Sequence, residues 1–107
     1  MLHYANLLCE AYQNMRITAG YTITLPCHYS AKEASWQYRA TESALSDDIS
    51  RERLNTARFL VQSDELGNIS LQIRNAQLED TGWYDCVKKE VGGSIHTVIL
   101  YVSGKII

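Results

Sequence analysis

The stretch Asp80-Thr81-Gly82-Trp83-Tyr84-Asp85-Cys86 decides the fold. Its acidic residue and its glycine indicate a tight turn, after which Tyr84 and Cys86 follow at alternate positions. Because residues two apart on a strand point to the same face, these two side chains should share one side. A buried tyrosine needs a hydrogen-bond partner for its hydroxyl, and the backbone of the preceding turn lies within reach. A cysteine on the same inner face calls for a second cysteine opposite it.

Length and composition limit the class of protein. A chain of 107 residues predicts one domain over residues 1–107, and 46% apolar with 21% charged residues is ordinary globular composition. The formal net charge of -2 gives no reason to expect binding to nucleic acid or to an acidic membrane surface. Apolar runs are too short for direct insertion into a membrane.

Catalytic and metal-binding motifs are missing from the sequence. The three cysteines, Cys9, Cys27 and Cys86, are too far apart for a CxxC metal or redox motif, and the three histidines have no zinc spacing. A nucleophile paired with a base and a phosphate-binding loop are also lacking. We therefore expect no metal, no cofactor and no enzyme activity.

Short alternating runs dominate the rest of the chain. Residues 21–27 and 69–73 alternate between apolar and polar side chains, which is typical of half-buried antiparallel strands. Trp36 should point inward from another strand, and Ile95–Val102 is a final β-branched strand. Leu78 is expected to cap one end of the core. Short strands separated by turns at regular intervals favour a sandwich or a barrel.

A set of residues in a fixed order resembles an immunoglobulin domain from about Met15 to Val102. The set comprises Cys27, Trp36, Arg58, the alternation Ile69-Leu71-Ile73, and Asp80-x-Gly82-x-Tyr84-x-Cys86. The resemblance implies an all-β Greek-key sandwich of two antiparallel sheets. Residues 41–57 leave room for strands C′ and C″, so the chain resembles a variable-type (V-set) domain with about eight or nine strands. An intermediate-type (I-set) domain is the alternative.

The same resemblance implies a disulfide. Cys27 on strand B and Cys86 on strand F would bridge the two sheets, with Trp36 packed on the bridge. Such a bond closes a loop of roughly sixty residues and contributes roughly 4 kcal/mol in the chain-entropy model. A structural disulfide implies an oxidising compartment, so we expect an extracellular protein, either secreted or at the cell surface. The chain is then expected to be a fragment of a longer extracellular protein.

Further structural roles follow from the resemblance. Tyr84 would form the tyrosine corner through its hydroxyl, and Leu71 would lie in the core. Arg58 and Asp80 would form the salt bridge that closes one end of a V-set sandwich. A catalytic role for this pair has no support, because no nucleophile or base stands beside it in the sequence.

A partner-binding face can be predicted from the alternation. If Trp36, Cys86 and Leu100 point inward, their neighbours point outward onto one sheet face, which the resemblance names GFCC′. The predicted outward residues are Gln37 and Arg39 on C, Asp85, Val87 and Lys89 on F, and Thr97, Ile99 and Tyr101 on G. An apolar centre among charges suits a protein interface, although apolar residues are also common on any surface. The loops 28–35 and 90–94 are the second candidate surface.

Two residues keep open alternatives. Cys9 is the odd cysteine: it could be a buried thiol, bond another chain, or pair with a cysteine outside this sequence. Asn68 begins the N-glycosylation sequon Asn68-Ile69-Ser70 at a predicted turn. The alternative reading of Asn68 is a turn asparagine that tolerates a left-handed backbone.

Two functions follow for such a domain. The first is a non-catalytic recognition module of a cell-surface adhesion or immune-type receptor, which binds a protein ligand or a second copy of itself through the GFCC′ face. The alternative is a structural spacer of the I-set kind in a multi-domain protein. An enzyme is disfavoured because the sequence offers no catalytic constellation.

Overall fold

Eight β-strands account for most of the residues that the computed structural model describes, which are residues 11–49, 57–90 and 94–104. The strands are β1 (Ala11–Thr18), β2 (Ile23–Ser30), β3 (Ala34–Arg39), β4 (Asp47–Asp48), β5 (Phe59–Ser63), β6 (Asn68–Ile73), β7 (Gly82–Lys88) and β8 (Ser94–Ser103). A short 3-10 helix, Leu78–Asp80, precedes β7. The predicted all-β class is confirmed. The predicted final strand is present and is one residue longer at each end.

The strands form two sheets. One has the order β1-β8-β7-β3-β4 and the other has the order β2-β6-β5. All strand pairs are antiparallel except β1 and β8, which run parallel from Ala11 opposite His96 to Thr18 opposite Ser103. The expectation of purely antiparallel sheets is therefore wrong at this edge. Because β1 and β8 come from opposite ends of the described chain, no hairpin joins them and a parallel pairing is available.

The core lies between the sheets and follows the predicted alternation. In β6 the side chains of Ile69, Leu71 and Ile73 are almost fully buried, while the residues between them are half-buried. These three side chains pack in one cluster with residues of both sheets. The prediction for Leu78 is wrong: its side chain is 56% exposed, because the 3-10 helix buries Asp80 instead.

The disulfide joins the two sheets through this core. Cys27 of β2 and Cys86 of β7 are bonded, with their Cα atoms 6.2 Å apart. Trp36 lies directly opposite Cys86 in the pairing of β3 with β7. Trp36, Tyr84 and Cys86 are each no more than 1% exposed. The bridge and the large aromatic side chains thus occupy the centre of the sandwich.

A corner closes one end of the sandwich. The Tyr84 hydroxyl donates a hydrogen bond of 2.6 Å to the carbonyl oxygen of Asp80. The Arg58 guanidinium binds both carboxylate oxygens of Asp80, at 2.7 and 3.1 Å. This hydrogen bonding raises the pKa of Arg58, and burial opposes the shift. The Asp80 carboxylate also accepts a hydrogen bond from the backbone N–H of Gln77, so it ties the turn to the start of β5.

Gly82 permits a close approach of β7 to β3. A Cβ atom at this position would lie 2.5 Å from Cε1 of Tyr38 and 2.9 Å from the carbonyl oxygen of Arg39. The Tyr38 hydroxyl lies over this point and donates to the carbonyl oxygen of Thr81 at 3.0 Å. Glycine is therefore needed here because of contact with the neighbouring strand, and not for a special backbone angle.

Some predictions fall on residues that the structure does not describe. Cys9 lies outside the described residues. Of the stretch 41–57, residues 50–56 lie outside them as well, so the expected C″ strand is not addressed. The expected C′ strand is β4, whose two residues pair with Gln37 and Tyr38.

Candidate functional site

The outer face of the five-stranded sheet carries the predicted site. Inward side chains such as Trp36 and Val98 belong to the core, so their neighbours along each strand point away from it. The register brings these neighbours into rows across the sheet. Trp83 of β7 lies between Arg39 of β3 and Ile99 of β8. In the next outward-facing row, Asp85 lies between Gln37 and Thr97.

The eight predicted interface residues differ widely in exposure. Tyr101 is 50% exposed and Lys89 is exposed, whereas Gln37, Arg39 and Ile99 are half-buried. Asp85, Val87 and Thr97 are buried, with 2%, 6% and 0% exposure. The prediction that these three are open to a partner is therefore wrong, although their strand positions are on the outer face. Val87 illustrates the point, because it is buried yet does not belong to the core cluster.

A network of polar side chains explains why Asp85 and Thr97 are buried. The Asp85 carboxylate accepts hydrogen bonds from Nε of Arg39 at 2.7 Å and from Nη2 at 3.0 Å. It also accepts one from Oγ1 of Thr97 at 2.7 Å. The three residues come from β3, β7 and β8, so the network crosses the sheet. Alternation along a strand predicts which way a side chain points. It cannot predict that Arg39, which lies on the neighbouring strand two residues beyond the direct partner of Asp85, will cover the carboxylate.

Lys89 does not contribute to this face. It follows the last residue of β7, and its Nζ donates a hydrogen bond of 2.6 Å to the carbonyl oxygen of Ala31. Its backbone N–H donates to the carbonyl oxygen of Glu33 at 2.9 Å. Both bonds hold the turn between β2 and β3. Lys89 therefore lies at the end of the sandwich where the turn between β2 and β3 is found, which we call the loop end. The prediction that Lys89 belongs to the sheet face is corrected accordingly.

Two aromatic residues of the face were missed in the sequence. Trp83 carries the Arg39 guanidinium over its ring at 4.9 Å, and Tyr12 of β1 meets the same ring edge-on, with centroids 6.2 Å apart. Trp83 could have been found, because it alternates with Tyr84 in the stretch that decides the fold. Tyr12 could not, since its place depends on the parallel pairing of β1 with β8. We call Tyr12, Arg39, Trp83, Ile99 and Tyr101 the outer patch.

The outer patch is mainly aromatic and aliphatic, with one paired arginine inside it and a second arginine at its edge. The Arg39 charge is balanced by Asp85, and the Arg16 guanidinium lies 5.3 Å from the Tyr101 ring centroid. Tyr12 and Tyr101 are 53% and 50% exposed. Aromatic side chains and arginine are enriched in protein interfaces, where each supplies a large contact area. The patch can therefore bind by shape and apolar contact.

The loop end is the weaker candidate surface. A depression of about 150 Å³ is lined there by Lys32, Glu33, Lys88 and Glu90. Their formal charges cancel, and the volume is smaller than the roughly 300–1,000 Å³ of common ligand pockets. Nearby, burial lowers the pKa of His96, and the neighbouring His28 lowers it further.

Within residues 11–49, 57–90 and 94–104, we find no group of three or more His, Cys, Asp or Glu side chains that could hold a metal ion. The helices in this part of the chain are also too short or too polar to cross a membrane.

Comparisons with known proteins agree with this architecture. Residues 13–103 match the immunoglobulin V-set domain family. Three similar solved structures illustrate the fold, and at these identities the likeness shows the fold alone. The extracellular domain of the voltage-gated sodium channel beta4 subunit, whose structures are parallel homodimers related to cell–cell adhesion, has 19% identity, covers 92% of this chain and 96% of its own, and has a TM-score of 0.65.

The other two structures are similar to this chain to a comparable degree. Novel immune-type receptor 11 from Ictalurus punctatus has 15% identity, coverage of 87% of this chain and 99% of its own, and a TM-score of 0.70. The first immunoglobulin domain of the mouse polymeric immunoglobulin receptor has 20% identity, coverage of 89% and 93%, and a TM-score of 0.69. Curated protein sequences gave no match. Because the family match spans most of the chain, with its disulfide and two-sheet sandwich in place, this protein belongs to the immunoglobulin V-set family, which is a non-catalytic family.

Proposed function

We propose that this domain is the recognition module of an extracellular adhesion or immune-type receptor, and that it binds a protein partner through the outer patch. A second copy of the chain is the first partner to test. The observation that carries the proposal is the outer patch itself, where two half-exposed tyrosines flank Trp83 and Ile99 on one sheet. Homodimers among similar structures support self-association as the first test.

The opposite sheet gives no comparable surface. The outward residues of β2, β5 and β6 are mostly small or polar and include Thr24, Pro26, Leu60, Gln62, Asn68, Ser70 and Gln72. Leu60 and Val61 are the large apolar side chains exposed on these strands, at 41% and 37%, and neither is aromatic. An interface needs a cluster of large side chains that exclude water together. The contrast favours the five-stranded sheet as the binding face.

The test compares two tyrosines of similar exposure. Tyr101 lies in the outer patch, whereas Tyr21 is 64% exposed and precedes β2, at the end of the sandwich. We expect Tyr101→Asp to weaken self-association by about ten-fold or more, as for loss of a hot spot, and Tyr21→Asp to change it by less than about two-fold. Ile99→Asp should behave as Tyr101→Asp does. Sedimentation velocity over a concentration series measures the association.

Two results would contradict the proposal. One is equal weakening by Tyr101→Asp and Tyr21→Asp, which would place the interface elsewhere. The other is a wild-type domain that neither self-associates nor binds a protein on any cell surface in a display screen. The second result would favour the structural spacer, whose outer patch would be an ordinary part of the surface.

A further inference from the structure

The structure gives Asn68 neither of the usual structural reasons for an asparagine at a turn. Asparagine is often found at turns because it tolerates a left-handed backbone, and Asn75 has such a backbone, with φ of 49°. At the turn before β6 the left-handed position is occupied by Gly67, with φ of 84°, and Asn68 is not among the residues of positive φ. The backbone N–H of Asn68 donates to Asp64, which any residue other than proline could do. In the described part of the chain its carboxamide makes no hydrogen bond.

The neighbours of Asn68 supply a different reason for this residue. Asn68-Ile69-Ser70 is the one Asn-X-Ser/Thr triplet in the 107 residues. Ile69 is 1% exposed and points into the core, so the side chains of Asn68 and Ser70 point outward. The preceding turn, residues 64–67, is exposed throughout. Asn68 is itself half-buried, and its side chain lies on the outward face beside this exposed turn.

We propose that Asn68 is a site of N-linked glycosylation. The co-reactant is an oligosaccharide linked to a lipid pyrophosphate, the donor used in secretory compartments. A bond forms between Nδ2 of Asn68 and the anomeric carbon of the first sugar. The bond from that carbon to the pyrophosphate oxygen breaks, the lipid pyrophosphate leaves with the electron pair, and one amide proton passes to the surrounding base. No oxidation or reduction is involved.

The position of Asn68 determines what the glycan covers. Asn68 pairs with Ser30, the last residue of β2, so it lies at the loop end of the sandwich. The turn with Lys32 and Glu33 follows Ser30 directly, and these two residues line the charged depression. The glycan therefore grows beside the loop end and on the outward side of the three-stranded sheet. The outer patch is on the other sheet, so the glycan leaves it accessible to a protein partner. This consequence rests on the proposed function.

Intact mass spectrometry tests the modification. We expect the wild-type domain, secreted from a eukaryotic host, to carry a glycan mass that peptide N-glycosidase F removes while converting the linked asparagine to aspartate. Asn68→Gln and Ser70→Ala should be secreted without this mass, and the matched variant Ser70→Thr should retain it. A secreted wild-type domain in which Asn68 is wholly unmodified would overturn the proposal.

Stability supplies the second measurement. When the domain is made in a host without this modification, Asn68→Gln should unfold at the same denaturant concentration as the wild type. A clear loss of stability would mean that the fold needs this carboxamide, and the argument from its missing structural role would fail. This result is independent of secretion and of any partner.

A comparison of association separates this proposal from the proposed function. Glycosylated and enzymatically deglycosylated domains should self-associate within about two-fold of each other, because the glycan is on the other sheet. If removal of the glycan strengthens association by about ten-fold, the glycan covers the interface and its placement is wrong. If neither form associates, the proposed function fails, while the glycan mass on Asn68 still decides the modification.

Discussion

An arginine–aspartate pair closes one corner of the sandwich, and another lies on the outer face of the five-stranded sheet. Each arginine binds both carboxylate oxygens, Arg58 through Nη1 and Nη2 and Arg39 through Nε and Nη2. In both pairs the shortest N–O distance is 2.7 Å. The Asp80 and Asp85 side chains are 0% and 3% exposed, and their arginine side chains are 24% and 17% exposed. The pairs differ in their surroundings, and that difference indicates different roles.

Backbone groups surround the corner pair. Asp80 accepts from the N–H of Gln77, and Arg58 donates to the carbonyl oxygens of Arg74 and Asn75 at 3.4 and 3.3 Å. The pair therefore holds the path of the chain where it turns between strands. Because this pair fixes the position of the backbone, its loss should destabilise the whole sandwich.

Side chains surround the pair on the outer face. Asp85 binds Thr97, and Arg39 packs over the ring of Trp83. The strands beneath are already joined by their own backbone ladders. This pair therefore orients side chains of the outer patch, and it contributes less to the path of the chain.

The largest expected effect is at the corner. Arg58→Met removes the guanidinium that both Asp80 carboxylate oxygens bind, and it leaves that fully buried charge poorly compensated. We expect a loss of about 3–5 kcal/mol in the free energy of unfolding, the range for breaking a buried pair. Urea unfolding followed by tryptophan fluorescence measures it. A loss below about 1 kcal/mol would show that the corner does not depend on this pair.

A smaller effect is expected on the outer face. Asp85→Asn removes the charge but keeps an oxygen that Thr97 can bond, and Arg39 keeps its bond to the carbonyl oxygen of Glu42. We expect a loss of about 1.5–3 kcal/mol, the value of a hydrogen bond to a charged group. Urea unfolding on the same instrument permits direct comparison with Arg58→Met.

The control for the outer-face variant is Glu65→Gln, which makes the matching carboxylate-to-amide change at an exposed turn position. It should alter the free energy of unfolding by less than about 0.5 kcal/mol. If Asp85→Asn costs as much as Arg58→Met, the two regions support the fold equally. The assignment of different roles would then be wrong.

The smallest expected effect on stability comes from the protonation of His96. Nε2 of His96 is buried and has no hydrogen-bond partner in the described part of the chain. Burial lowers the pKa of His96 from its ordinary 6.5, so the unfolded chain binds this proton more readily than the folded chain. Its contribution to stability is therefore fully present above about pH 6.5 and is lost as the pH falls through the lowered folded-state pKa.

The measurement for His96 is the slope of stability with pH. Between about pH 7.5 and about pH 5.5 the wild type should lose more free energy of unfolding than His96→Asn does. The readout is the difference in slope, which a general loss of packing in the variant would not imitate. Equal slopes would show that His96 titrates alike in the folded and unfolded chains.

The corner and the disulfide could be predicted from a local pattern together with the family resemblance. The turn, Tyr84 and Cys86 are close neighbours in the chain, and their spacing on a strand determines which side chains face the core. The resemblance to the V-set family then identified Arg58 and Cys27 as partners. In the structure these residues are bonded as that resemblance implies.

The candidate binding face was only half predictable, for a physical reason. Alternation along β3, β7 and β8 determines direction, so the outward positions of Asp85 and Thr97 follow from the sequence alone. Their burial does not, since it depends on a long Arg39 side chain that crosses from the neighbouring strand. The place of Tyr12 depends on the parallel pairing of strands from distant parts of the chain. Only the tertiary structure could decide these contacts, because they join residues whose separation in sequence carries no periodic signal.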